Sequence, residues 1–352
     1  MTEPRAARPT LRFIDEYCDS YKSLFPEVRS FEAFKQLHMG LVSDIKRKTL
    51  PNIAQVVGLE NSQSLHHFIT ASPWEANQLK ERRLELILKA LNGQEIVVII
   101  DETGDRKKGK KTDYVSRQYI GNLGKVEQGI VAVTAYGVIA GMTVMLDFEV
   151  YKPKSRLKKG ESECSKPQLA AQMLRELKTE TLPKNETWFV MTKLADIKYH
   201  QVGNLYGLRN WVEYGLKQTK NELGWADFRL TNYSDIEKWW ELVASAYLLV
   251  SLHSKALPTF KKPLNTISTT GLGLLLAEHH RWDFNTGWKN LLNNLRLIIQ
   301  PFVAFNLMKI WLKIFPIPEL DVGFSRLIAF MNRFPGAIPS AIEQTDFHFS
   351  SA

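Results

Sequence analysis

Residues Glu95 to Lys111 read EIVVIIDETGDRKKGKK, and the rest of the chain is organised around this stretch. Ile96 to Ile100 form an unbroken, β-branched apolar run, the pattern of a strand buried on both faces. The run ends at Asp101. Thr103, Gly104 and five basic residues (Arg106, Lys107, Lys108, Lys110 and Lys111) follow, so the strand is expected to leave the core at a polar, electropositive edge. One carboxylate at a strand end is not yet a site; what matters is what the chain brings to it.

Downstream, Gln128 to Ala140 and Met142 to Tyr151 read as two more strands joined at Gly141, which makes the first strand the start of an antiparallel meander of three. A second basic loop, Lys152 to Lys159, precedes a helix over Lys166 to Lys178 with Leu169, Met173, Leu174 and Leu177 on its apolar face. Three strands and a helix, with a carboxylate on the first strand, is how a ribonuclease-H-like nucleotidyl-transferase core begins. The expected class is therefore α/β (α+β), with a ribonuclease-H-like, retroviral-integrase-like core between helical N-terminal and C-terminal regions. Such a core places one carboxylate on its first strand, one after a strand that follows the helix, and one on a later helix. Together they hold two divalent metals about 4 Å apart, which activate the attacking oxygen and stabilise the leaving oxygen of an in-line phosphoryl displacement.

Upstream, residues 1–92 read as helical. Leu11 to Leu24 is amphipathic, and Ser30 is placed to cap a helix over Phe31 to Leu41. Asn52 to Ile69 gives a short helix, a turn at Gly58 and a second short helix. Ala54, four residues before Gly58, suits a helix-turn-helix, but a plain helical hairpin in a bundle fits the spacing equally well. Lys46, Arg47, Lys48, His66 and His67 nearby incline the region toward DNA. Ser72-Pro73-Trp74-Glu75 is expected to start a helix with Pro73 at its first position, running to Leu91 and stopping at Asn92-Gly93.

A second informative stretch is Tyr206 to Leu223, YGLRNWVEYGLKQTKNEL. Tyr206, Arg209, Glu213 and Lys220 follow one another at intervals of three, four and seven residues, which keeps them on one helical face. Two readings fit that stripe: a solvated ladder of salt bridges, or a metal-binding glutamate among side chains that reach the phosphate backbone.

Tyr-x2-Arg-x3-Glu-x6-Lys resembles the signature of bacterial insertion-sequence transposases with a DDE triad. The sequence from Asn204 to Leu252 is similar to the insertion-sequence seven-hundred-and-one group. So is the block from Ile99 to Gly137, where Arg117-Gln118-Tyr119 and Gly121-x-Leu123-Gly124-Lys125 follow the acidic residue. The likeness extends over roughly residues 30 to 255. It implies that Asp101 and Glu213 are the first and third catalytic, metal-binding carboxylates. Tyr206, Arg209 and Lys220 would be the supporting DNA-binding residues, with Lys107 and Lys108 on the basic loop. It also implies Mg²⁺ or Mn²⁺ as cofactor (two ions in an intact site), double-stranded DNA at transposon ends and target as partner, and a homodimer in synapsis.

This sequence departs from the family's pattern between the two blocks. The second aspartate is expected soon after the Lys166 to Lys178 helix, yet LRELK passes directly to TETLPKNETWFVMTKLADIKYHQVGNLYG, and only 34 residues separate Lys178 from Glu213. An internal deletion near residues 178–180 is the reading, leaving a copy whose metal-dependent strand cleavage is impaired. The alternative is an inactive DNA-binding remnant. Asp196, after a strand-like run from Trp188 to Leu194, has the right residue type for a metal ligand but lies in the block that precedes the glutamate helix.

Composition agrees with this frame. The 352 residues carry a net charge of +9, which favours a polyanionic partner. The two cysteines, Cys18 and Cys164, offer neither zinc spacing nor a disulfide framework. No long uninterrupted apolar run or signal-peptide layout is present, so a cytoplasmic protein without a membrane partner is expected. Residues 232–256 are expected to form an amphipathic helix whose Trp239 and Trp240 pack in the core or, alternatively, stack on flipped bases. Pro258 to Ser268 reads as a linker and Leu272 to Phe334 as helical. The expected units are thus a helical, DNA-binding N-terminal region (1–92), the catalytic core (93–256) and a helical C-terminal region (257–352).

Overall fold

Asp101 does not end its strand. In the computed structural model, strand β1 spans Val97–Arg106, and each of its residues pairs antiparallel with Gly129 to Val138 of β3 (Lys125–Ile139). Nor is β1 buried on both faces: Val97 is exposed and Ile99 and Ile100 are half-buried, while the polar continuation Thr103, Gly104 and Asp105 is buried. The apolar run specified extended backbone; burial was set by what packs on each face. Between these strands in sequence, but on the far side of β3 from β1 in the sheet, comes β2 (Ser116–Ile120), too short and polar to declare itself. It folds back through Gly124, at φ +64°, to pair with Lys125 to Gly129 of β3. β4 (Met142–Val150) pairs with Ala132 to Ile139, shifting register between Ala135 and Tyr136. Among the described residues the sheet therefore has four antiparallel strands instead of three, with β3 central.

The structure describes residues 5–94, 96–139, 142–180, 199–254, 278–285 and 287–334, and at 139, 178–180 and 199–209 the backbone alone. The linker expected at 258–268, Asp196 and the strand-like run before it lie outside the described residues.

Five helices precede the sheet: α1 (Arg12–Asp19), α2 (Val28–Val42), α3 (Leu50–Val56), α4 (Gln63–Thr70) and α5 (Ala76–Leu91). Two expected helix starts are corrected. Ser30 is buried within α2 instead of capping it, and its hydroxyl bonds to Ser72 Oγ at 3.3 Å. The segment from Ser72 to Glu75 is a packed connector, because Trp74 stacks on Phe68 (5.0 Å, 17°) and donates its indole N–H to the Phe68 carbonyl at 2.7 Å. Helix α5 begins only after that ring is seated. It ends as expected, with Asn92 left-handed (φ 49°) and Gly93 at φ +79°.

After the sheet come α6 (Lys166–Glu180) and α7 (Tyr199–Asn221). Lys166 of α6 ion-pairs with Glu102 at 2.5 Å, and Lys220 of α7 with Asp105 at 2.9 Å. Residues of opposite parity on one strand point to opposite faces, so the two helices cover opposite sides of β1. α8 (Tyr233–Leu252) runs through the centre of the molecule, buried at every position from Trp239 to Ser251. Trp239 and Trp240 donate to the carbonyls of Gly224 and Trp225 at 3.1 and 3.2 Å, and the Trp240 ring stacks on Trp225 at 4.5 Å and 4°. These rings are core and unavailable to a flipped base.

One hydrophobic core continues across position 92. Arg83 of α5, wholly buried, bonds Glu241 of α8 through two contacts of 3.0 Å and also reaches the carbonyls of Met145 and Leu146 on β4. Two helices close the described chain, α9 (Trp288–Ile314) and α10 (Pro318–Met331). By length and composition α9 could cross a membrane. Its first half is nonetheless core: Trp288 stacks on Tyr247 at 4.4 Å, and Arg296 bonds Glu222 at 2.8 Å and the Val42 carbonyl at 3.2 Å.

Two core histidines make stability sensitive to acid. His38 bonds the Phe34 carbonyl and Ser245 Oγ, each at 2.9 Å; His253 donates to the Leu249 carbonyl at 2.8 Å and stacks near Phe334. Burial pushes both down to about 4. The folded chain thus keeps them neutral while the unfolded chain takes up protons below about 6.5. The unfolded state binds more protons in that window, so stability is complete above it and falls as pH drops from about 6.5 toward 4. Glu149, raised to about 7 by burial, works in the opposite sense between 7 and its ordinary value. The unfolding free energy of the Glu149→Gln variant, followed by urea titration, is therefore expected to fall more steeply over pH 7 to 4 than that of the parent chain.

Candidate active site

Strand alternation decides which β1 side chains can meet which helix. Asp101, Thr103 and Asp105 share one face, as do their cross-strand partners Thr134, Ala132 and Ile130. Tyr136, two residues from Thr134, lies on the same face, and its ring comes within 2.9 Å of where a Cβ on Gly215 of α7 would stand. Its hydroxyl bonds Thr219 Oγ1 at 2.9 Å, and Thr219 donates to the Gly215 carbonyl at 2.7 Å. Only glycine at 215 admits this approach. Helix α7 is thereby laid on the Asp101 face of the sheet, with Val212, Thr219 and Leu223 buried beneath it.

Lys220 fixes the far end of that contact. Its ammonium donates to the Gly104 carbonyl at 2.7 Å and pairs with Asp105, and both side chains are largely buried. The sequence reading gave Lys220 to DNA; in the fold it braces α7 against β1. Replacing Lys220 with Ala strands the Asp105 carboxylate, and a loss of about 1–3 kcal/mol in unfolding free energy is expected. Denaturant titration checks this, and Asp105→Asn in the same background should recover part of the loss.

Asp101 sits at mid-strand, half-buried. Its Oδ1 accepts the Glu102 backbone N–H at 2.8 Å and its carbonyl accepts Thr134 Oγ1 at 3.0 Å. Its neighbour Glu102 faces the other way and is occupied by Lys166. Glu213 is exposed on α7. Tyr206 and Arg209 belong to the same helix, at positions where only the backbone is described. Asp196 lies outside the described residues. Among the described residues, no three His, Cys, Asp or Glu side chains come close enough to hold a metal ion. Carboxylates are suitable hard donors, but Asp101 and Glu213 alone do not make the three-carboxylate set that two shared ions require.

The basic loop also differs from expectation. Lys107 turns inward, its ammonium 3.4 Å from the Phe228 ring centroid and donating to the Ala226 carbonyl at 3.1 Å. Burial lowers it to about 8. Lys108, next in sequence, is exposed, as are Lys110 and Lys111. In the N-terminal region α3 and α4 form the expected helical pair around Gly58 (φ +77°), with Asn306 of α9 donating to the Val56 carbonyl at 3.0 Å. His66 and His67 are exposed on α4. The buried partners Asp105, Tyr136 and Thr219 escaped the sequence reading, because nothing along the chain signals a contact spanning more than eighty residues.

A mixed α/β chain with a carboxylate on its first strand and another on the helix that covers it matches a known family. The profile described as DDE superfamily endonuclease matches residues 23–209, and the chain belongs to that family. Within it, the chain is 46% identical over 329 residues to a probable transposase for insertion sequence element IS701 from Microchaete diplosiphon, an alignment covering 67% of this chain and 87% of that protein. It is thus an insertion-sequence transposase by family, and the nucleases of this family use divalent metal ions.

Proposed function

We propose that this chain recognises the terminal inverted repeats of its insertion sequence as a transposase does, but with a strand-cleaving centre short of one carboxylate. Asp101 and Glu213 are its first and last acidic members. What supports the pairing is the packing of α7: Lys220 meets Asp105, and Glu213 stands two turns earlier on the same stripe, about 10 Å back along the helix. Asp101 lies four residues back along β1, about 13 Å, on the face that α7 covers. An antiparallel sheet with a helix on each face supports a ribonuclease-H-like core.

The observation that carries the impairment is the donor set, with no third carboxylate near enough among the described residues. The alignment length supports it independently. Two-thirds of this chain, roughly 236 of 352 residues, takes part in an alignment 329 positions long, so about 93 positions of the relative have no counterpart here. An internal deletion before the glutamate helix accounts for both. Because the described donors do not complete a two-ion Mg²⁺ or Mn²⁺ site, no cleavage step is assigned to them.

What these residues can still do is bind. Lys108, Lys110, Lys111 and Arg106 present an exposed basic edge, and Tyr206 and Arg209 lie on the stripe of Glu213. Double-stranded DNA in the cytoplasm is the partner, with phosphate contacts supplying most of the affinity. The test is a binding and nicking assay on duplexes carrying the element's terminal repeats, with Mg²⁺ or Mn²⁺. Specific binding without cleavage is the expected result. Metal-dependent nicking abolished by Asp196→Asn would make Asp196 the third ligand and overturn the reading.

A further inference from the structure

The ribbon made by β2 and the start of β3 carries Arg117-Gln118-Tyr119 and Gly121-x-Leu123-Gly124-Lys125, residues to which strand cleavage gives no part. Its two faces differ. Gln118, Ile120 and Glu127 share one of them. Ile120 is wholly buried there, its Cγ2 2.8 Å from where a Cβ on Gly104 would stand and its Cδ1 2.5 Å from that on Gly129. Glycine at both positions lets Ile120 sit against β1. Arg117, Tyr119, Val126 and Gln128 alternate with these and make the outer face. Tyr119 and Val126 stand directly opposite each other and are 52% and 50% exposed. Arg117, also exposed, stands opposite Gln128 in the next outward pair. Cross-strand partners lie about 5 Å apart and alternate residues about 7 Å apart along a strand, so the four side chains form one patch.

The surroundings of the patch select its occupant. Glu127, the one acidic residue between Ser116 and Gly129, points to the other face, where Lys125 at 3.2 Å and Arg106 at 3.7 Å hold it. The patch also runs on into the basic loop. Gln128 donates to the Gly109 carbonyl at 3.4 Å, and its own carbonyl accepts the Lys107 N–H at 3.0 Å. Lys108, Lys110 and Lys111 stand exposed beside that junction. A polyanion matches this charge, and duplex DNA matches the shape, because a major groove about 12 Å wide admits a two-stranded ribbon. In that groove a guanidinium pairs with guanine through two hydrogen bonds, and an apolar side chain meets the thymine methyl.

We propose that the outer face of this ribbon enters the major groove of the terminal repeat and reads it. Arg117, Tyr119 and Val126 contact base edges, and the lysines of the adjoining loop contact phosphate. The inference rests on the DNA-binding reading above and adds to it the element that distinguishes one sequence from another, since phosphate contacts position a duplex without reading it. Ile120 meets β1 at Gly104 and α7 meets it at Asp105, neighbours that face opposite ways. The repeat is therefore read apart from Asp101 and Glu213, and reading survives the loss of cleavage.

Fluorescence anisotropy of the full chain on a duplex carrying the terminal repeat, and on a shuffled duplex of equal composition, tests this across about 50–200 mM salt. The parent chain is expected to prefer the repeat. Tyr119→Thr combined with Val126→Thr, which puts good strand formers at exposed positions, should cut that preference at least about tenfold, with the salt slope and thermal unfolding unchanged. Arg117→Lys keeps the charge but loses the fork, and should also cut the preference. Lys108→Gln combined with Lys110→Gln should instead weaken both duplexes alike and lower the salt slope by about two. A preference left intact by the threonine pair overturns the inference and leaves the DNA-binding reading standing. A threonine pair that weakens both duplexes alike assigns the face to general contact and overturns it too. A parent chain without preference for its repeat overturns that reading, and the inference with it.

Discussion

On duplexes carrying its terminal repeats, the chain is expected to cut at least about 10³-fold more slowly than the IS701 relative under the same Mg²⁺ concentration. Metal ions at such centres supply several kcal/mol of transition-state stabilisation, and each 1.36 kcal/mol is a factor of ten in rate. A centre that lacks the bridging carboxylate loses most of that contribution. DNA affinity should survive, because it rests on phosphate contacts made by exposed cations, and it should fall steeply with salt. Asp101→Asn and Glu213→Gln are therefore expected to leave repeat binding within a few-fold of the parent. Gel-shift and nicking assays on the same preparations separate the two properties. A parent chain that nicks within tenfold of the relative would falsify the incomplete-site reading and leave the family assignment untouched.

The second large effect is on stability. Arg83→Met is expected to cost about 3–5 kcal/mol, a large share of the roughly 5–15 kcal/mol that holds a domain folded. Arg83 and Glu241 are both buried in the centre of the molecule, and burial raises the Glu241 carboxyl even with the guanidinium beside it. Removing Arg83 leaves a buried carboxylate without its ion pair and frees two β4 carbonyls of their donor. Glu241 should then take up a proton closer to neutrality, so the penalty is expected to shrink as pH is lowered. The double variant Arg83→Met with Glu241→Leu should regain most of the loss, since a well-packed apolar pair can replace a buried ion pair. Urea midpoints at two pH values measure both expectations. A loss below about 1 kcal/mol for Arg83→Met would show that the pair does not anchor α5 to α8.

Several errors of the sequence reading have one cause. The inward contacts of Lys107 and Lys220 were likewise out of reach, because charge runs and helical stripes show residue type and spacing only. Their partners, Phe228 and Asp105, stand more than a hundred residues away along the chain. Ser30 and Pro73 carry genuine helix-start chemistry, yet the packing of Ser72 and Trp74 moved both starts. β2 was missed because a five-residue polar strand takes its stability from β3 instead of its own pattern.

Local chemistry was enough for much of the rest. Asp101 on a strand, Glu213 on a helix, the stop of α5 at Asn92-Gly93 and the α8 helix all follow from periodicity, capping and turn residues within a few positions of one another. The same holds for the family, whose motif residues are close in sequence. Tertiary structure alone decided which face Asp101 presents, that Gly215 and Tyr136 lay α7 on it, and that the end of α9 stands in solvent. Those outcomes depend on contacts between segments distant along the chain, and such contacts are fixed only when the whole core closes.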